Sequence, residues 1–205
     1  MGVTSTMKRM LLILILGINV AFIGYNMIPN VAENQTIDKD GVQIHIVSDG
    51  KISQKKVDEF LESYENQPSY LKNKVKNVYL MTQENVIKSE NEIYWDGSGN
   101  VTNNGFAYDY DVYISSSSVK INKTLTHEMW HVYDFVYGDG LHSLSELDSN
   151  LINLYNQNEN MLGKYAAENY LEFFATAGET YTNDPEYLKE VDINMYNYFE
   201  SLPKE

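Results

Sequence analysis

LTHEMWHVYD, residues 125–134, sets two histidines four positions apart with a glutamate directly after the first. The chain has only four histidines in 205 residues, so this concentration needs a physical reason. In an α-helix, residues four apart differ by only about 40° around the axis, so His127 and His131 would project from one face. Two neutral imidazoles placed this way can hold one zinc ion, and Glu128, one position round, can take a proton from a metal-activated water. The competing reading is an ordinary amphipathic helix whose polar face carries two histidines, with Met129, Val132, Phe135 and Val136 packing behind.

The same helix marks a change of period along the chain. Upstream, VQIHIVSD from Val42 alternates, with Val42, Ile44 and Ile46 on one face and Gln43 and His45 on the other. That predicts a half-buried strand with a solvated His45. SQKKVDEFLESYENQ predicts a helix capped by Ser53, with Val57, Phe60, Leu61 and Tyr64 at helical spacing. KNVYLMTQ predicts a second strand, residues 91–105 a loop or wide hairpin, and AYDYDVYIS (107–115) a single strand with Tyr108, Tyr110, Val112 and Ile114 together. Beyond Ser118 the spacing is helical. KTLTHEMWHVYDFVYG, LSELDSNLINLYNQ, the stretch from Lys164 to Thr182 and DPEYLKEVDINMYNYFESL each predict one helix. Strands followed by helices give an α+β fold in one domain, residues 41–205. Its small N-terminal α/β lobe with a mixed sheet (41–118) precedes a mostly helical C-terminal lobe (119–205), with the active site between them.

The amino terminus predicts export. Lys8 and Arg9 close a basic start, residues 1–9, and residues 10–28, MLLILILGINVAFIGYNMI, carry no charge. That run suits either a signal peptide or a membrane anchor, with the remainder of the chain on the outer side. The nearest cleavage candidate is Asn30-Val31-Ala32. Residues 29–40 are polar and aperiodic, as in a linker. The protein is therefore expected to be secreted or anchored on the outer face of the cell membrane, touching lipid only through residues 10–28. A formal charge of −14 opposes binding to nucleic acid. The absence of cysteine excludes disulfides and Cys-ligated zinc.

A catalytic zinc needs a third protein ligand and an open position. A third histidine six residues after the second is excluded, because that residue is Tyr137. His142, beyond two glycines, is a weaker alternative, and Glu146, Glu159, Glu168, Glu172 and Glu179 are the carboxylate candidates. Read as one helix, KYAAENYLEFFATAGETY carries Tyr165, Glu168, Glu172, Thr176 and Glu179 along one stripe. Glu172, beside Leu171, Phe173 and Phe174, has the most apolar surroundings, where a carboxylate is costly unless a cation offsets its desolvation. The bland alternative is a carboxylate on the wet side of an amphipathic helix. By its position two turns before Glu172, Tyr165 is a candidate donor to a developing oxyanion.

HEMWHVYD, then Tyr165, then EFFA resembles the catalytic domain of the anthrax lethal factor family of zinc metalloproteases, closest in size to the secreted Pro-Pro endopeptidases. WDGSG, residues 95–99, resembles a tryptophan-bearing loop of the latter. The resemblance implies a zincin-like metalloendopeptidase of the gluzincin type with one Zn2+ per chain. His127, His131 and Glu172 would be its ligands, Glu128 the general base and Tyr165 the oxyanion donor. It further implies that Asp134 orients a ligand and that Trp95 contacts substrate, a protein or peptide for which proline-rich segments are candidates. Thr176 and Gly178 stand where the family carries a glutamate and an aromatic residue, and a second tryptophan near Thr102 is absent. A monomer is expected. The alternative to an enzyme is a non-catalytic, zinc-containing surface or toxin-related binding module.

Overall fold

The computed structural model describes residues 30–94, 104–158 and 160–205. The expected leader or anchor at 10–28, Trp95 with its loop 95–99, and the candidate Glu159 lie outside the described residues. Among the described residues no helix is long and apolar enough to cross a membrane.

The fold is α+β, built on a five-stranded mixed sheet in the order β1-β2-β3-β5-β4. Strand β2 (Val42–Val47) alternates buried and half-buried residues as its sequence predicts. Part of the expected linker is instead strand β1 (Gln35–Lys39), antiparallel to β2. Asp40 and Gly41 join the two strands at φ 55° and 87°, the left-handed pair that an Asp-Gly hairpin turn requires. Helix α1 (Gln54–Glu65) starts at Ser53, whose side chain accepts from Lys56 N–H. The short helix α2 (Ser69–Lys72) then leads into β3 (Asn77–Met81), parallel to β2.

Helix α3 (Gln83–Tyr94) comes next, so the stretch 91–94 is helical rather than loop. Segment 107–115 is not one strand. β4 (Gly105–Tyr108) and β5 (Asp111–Ser115) pair antiparallel around a turn in which Asp109 adopts φ 50°. β5 lies parallel to β3, which leaves β4 as an edge.

The pleat divides this sheet into one buried face and one half-buried face. Ile44, Ile46, Val78, Leu80, Val112 and Ile114 join the main core, whereas Met81, Phe106 and Val86 of α3 form a smaller cluster with Tyr79 and Tyr113. On the second face, rings stack across four strands: His45 on Tyr79 at 4.5 Å, Tyr79 on Tyr113 at 4.7 Å, and Tyr113 on Phe106 at 4.3 Å. His45 is thus not simply solvated. Its Nδ1 meets Thr36 Oγ1 at 3.0 Å and its Nε2 meets Asn77 Oδ1 at 3.2 Å. Such cross-strand pairs hold register in a sheet.

Helix α4 (Ile121–Val136) lies between the sheet and the C-terminal helices, touching β4, β5 and α1 on one side and α7 (Tyr170–Asn183) on the other. The other C-terminal elements are more divided than their spacing suggests. Asp148 separates α5 (Leu144–Leu147) from α6 (Ser149–Asn158), and Asp192 separates α8 (Pro185–Val191) from α9 (Ile193–Ser201). Asp192 accepts from Asn194 and Met195 N–H, so it caps α9 instead of continuing a helix. The main buried core extends from Ala32 to Phe199, through both expected lobes.

Candidate metal centre and cleft

The buried face of α4 holds Leu125, Met129, Trp130, Val132 and Tyr133, which fixes the helix rotation and presents His127, Glu128 and His131 toward β4 and α7. Trp130 sets the distance to α7. It packs against Phe174 at 5.6 Å and Phe199 at 5.2 Å, and its Nε1–H donates to Thr182 Oγ1 at 3.0 Å. Gly178 makes this approach possible, because a Cβ there would lie 2.4 Å from Trp130 Cδ2. This explains why the position is glycine where the resemblance leads one to expect an aromatic residue.

The segment before α7 is not the continuous helix that its stripe suggests. Tyr165 precedes a 3-10 turn, Ala166–Glu168, and Asn169 is extended at φ −167°. Asn169 caps α7, its side chain accepting from Glu172 N–H at 2.9 Å. Glu172 therefore lies in the first turn of α7, where the helix dipole favours a negative charge. Tyr165 reaches the same place by the bend in the backbone, not by sharing a helix face. Its ring lies 5.6 Å from that of His127.

His127, His131 and Glu172 converge. His127 Nε2 lies 3.1 Å from His131 Nε2 and 3.1 Å from Glu172 Oε2, and His131 Nε2 lies 3.5 Å from the same oxygen. Atoms bonded to one tetrahedral zinc at about 2.1 Å are separated by about 3.4 Å, so this donor set has the spacing that the ion requires. Two imidazole nitrogens and a carboxylate oxygen facing one point also repel through their lone pairs unless a cation or proton lies between them. These are the three residues that could hold a metal ion among those described. Of the other candidates, Glu146 closes a capping box with Ser143, Glu179 pairs with Lys123 at 3.1 Å, and His142 faces Asp139 at 3.5 Å.

Burial pushes the Glu128 carboxyl up to about 7, opposed by the charge of His127 and reinforced by those of Glu172 and Glu90. Glu172 is half-buried, but hydrogen bonds to His127 and His131 outweigh the desolvation and hold its carboxyl well below the usual range. Tyr165 is exposed as a residue, but desolvation of its hydroxyl against the site and the negative charges of Glu172 and Glu128 push that hydroxyl far up, so it stays a proton donor at any working pH.

Two hollows of about 400 and 470 Å3 meet at Gly105, Glu128 and Tyr165, forming a cleft along β4. Gly105 lets the strand pass close to α4, since a Cβ would lie 3.1 Å from Thr124 Cγ2 and 3.2 Å from Glu128 Cγ. The cleft also contains residues that sequence reading missed: Glu90 and Tyr94 from α3, and Lys120 and Lys123 at the start of α4. The signal for α3 was present in Thr82, which caps it by accepting from Asn85 N–H at 3.3 Å, and in the apolar pair Val86 and Ile93.

Asp134 is fully buried on α4, and its two oxygens accept from Ser145 N–H at 2.7 Å and Ser145 Oγ at 2.6 Å. It ties the segment after α4 to that helix, and burial pushes its carboxyl up to about 6, opposed by the hydrogen bonds from Ser145. Asp134→Ala leaves both buried Ser145 donors without this acceptor, and is expected to lower the unfolding free energy by about 2–3 kcal/mol in urea melts. A loss under 0.5 kcal/mol would show that Ser145 finds other partners at about no cost.

Compared with family models and with curated proteins, the chain finds no match.

Proposed function

We propose that this protein is a zinc-dependent metalloendopeptidase with a zincin-like arrangement, in which a helix bearing HExxH runs beneath an antiparallel edge strand. One observation carries the reading: two imidazoles from α4 and one carboxylate from the first turn of α7 meet at zinc-ligand spacing, with an acid–base group beside them and a cleft in front. A structural zinc site is closed by four protein ligands, whereas three ligands facing a cleft leave a position for reaction. This favours the enzyme over a non-catalytic binding module.

His127, His131 and Glu172 would hold the ion. Zinc bound there supplies Lewis acidity and lowers the pKa of a coordinated water toward about 7. Glu128 takes a proton in the attack on the scissile carbonyl and returns it to the leaving amine. Its elevated proton affinity suits both directions of that transfer. Tyr165 donates to the oxygen on which negative charge develops. Export to the cell surface or beyond is part of the proposal, on the strength of residues 10–28.

The deciding experiment is digestion of a mixed peptide library by zinc-loaded protein, read by mass spectrometry, with and without a chelator. Internal cleavage that chelation stops and zinc restores is the expected result. Intact peptides in the zinc-loaded arm would overturn the reading. Within it, Tyr165→Phe is expected to lower kcat by about 100-fold. KM and zinc content should stay near those of the parent, because the phenol acts mainly as charge develops. A fall in zinc content in place of kcat would make Tyr165 a structural neighbour only.

A further inference from the structure

The lysines of the cleft stand at one of its ends, and β4 runs from that end to an acidic one. The half beside Ala107–Asp109 is lined by Glu90 and Asp109 with Tyr94, Phe106 and Phe135, and carries no lysine or arginine among its described residues. The half beside Asn104 is lined by Lys120 and Lys123 together with Glu128 and Glu179. Lys123 Nζ is held 3.1 Å from Glu179 Oε1 while its side chain stays 54% exposed, and Lys120 opens α4, whose dipole adds positive potential.

The edge of β4 sets how an extended chain would lie. Ser115 N–H donates to Asn104 O at 2.7 Å, and the register then assigns residues 104, 106 and 108 to bonding with β5. The N–H and C=O groups of Gly105 and Ala107 therefore face outward. The Tyr94 hydroxyl donates to Ala107 O at 2.9 Å, as a paired strand would. Gly105, next to Glu128, is the pairing point nearest the metal-ligand set. Antiparallel addition is the more stable pairing. It lays residues upstream of the scissile bond against Ala107–Asp109 and residues downstream against Asn104 and the lysines.

Resting on the endopeptidase reading, we propose that the cleft selects peptides with a basic residue upstream of the cleaved bond and a carboxylate downstream, the carboxylate being read by Lys120 and Lys123. An acidic side chain and the substrate's own C-terminus offer the same chemistry. Charge complementarity of this kind at an open rim acts on encounter and orientation more than on total affinity.

The test uses the full chain loaded with zinc and three peptide sets with one mixed central sequence. The first set has arginine upstream and glutamate downstream with an amidated end, the second reverses these charges, and the third has arginine upstream and a free C-terminal carboxylate. The first should exceed the second in kcat/KM by about fivefold, and added salt should narrow the gap. The third set shows whether a chain terminus serves as well as a side chain. Lys120→Glu with Lys123→Glu should shift the downstream preference from glutamate to arginine. Anisotropy titrations of labelled peptides from each set against zinc-loaded Glu128→Gln protein read the same preference without catalysis. Loss of cleavage in every set would therefore sink the enzyme reading alone. Equal or reversed preference in binding, or a preference that survives both lysine substitutions, overturns the polarity proposal.

Discussion

Glu128→Gln is expected to lower kcat/KM for peptide cleavage by about 100-fold to 10,000-fold, the usual contribution of a positioned general base. Zinc content and fold should be retained. Glutamine has nearly the same volume and leaves the packing beside Gly105 unchanged. His127, His131 and Glu172 supply the donor set without Glu128. The thermal midpoint should hold or rise, for a physical reason visible in the site. Burial lifts the Glu128 carboxyl to about 7, so its charged form is disfavoured where it stands. A neutral amide removes that cost and the repulsion from Glu172 and Glu90. Stability kept with activity lost is the signature of a group retained for chemistry against its own folding preference. Unchanged kcat/KM would remove Glu128 from the mechanism, and a fall in zinc content matching the fall in rate would make it a metal-site residue instead.

The parts of this fold that could be read in the sequence are those whose local signal and tertiary setting agree. Strand β2 alternates cleanly because one face is dry, and Ser53 starts α1 because its side chain caps the first turn. Glu172 could be singled out from its neighbours, since Phe173 and Phe174 are fully buried and draw the first turn of α7 to the core. Elsewhere weaker signals were overridden. Segment 107–115 keeps its alternation through the turn, and Asp109 bends the chain without the Asn-Gly or Asp-Gly pair that usually announces a hairpin. β1 is polar because it is an edge strand with little to bury, so only the Asp40-Gly41 turn betrays it. The stripe from Tyr165 to Glu179 suggested one helix, yet Asn169 and Glu172 stand as N-cap and N3 residues, a start signal inside the stripe. The meeting of His127 with Glu172 could not come from spacing. It depends on how closely α4 and α7 approach, which is a packing outcome.

That approach can be perturbed directly at Gly178. Gly178→Ala puts a methyl group where three atoms of the Trp130 ring lie 2.4, 2.6 and 2.7 Å away. In a packed core neither partner can yield cheaply: the indole is 1% exposed, hemmed by Tyr133, Phe174 and Phe199, and anchored through Thr182. The helices must separate or the ring must leave its rotamer, at a cost of about 1–3 kcal/mol or more. Glu172 lies six residues earlier on the same helix, so the same displacement opens the donor set. Alanine favours helix over glycine by about 1 kcal/mol, which would make the variant more stable if packing were indifferent. The sign of the change therefore discriminates: lower stability together with at least about tenfold weaker zinc binding is the expected result, since a tenfold change needs only about 1.4 kcal/mol. Trp130→Phe replaces the indole by a smaller ring, freed from Thr182, that can turn away from the new methyl. The double variant should recover part of the zinc affinity lost in Gly178→Ala, a coupling that two independent lesions would not produce. Simple additivity in that cycle would mean that Gly178 and Trp130 do not set the spacing of α4 and α7.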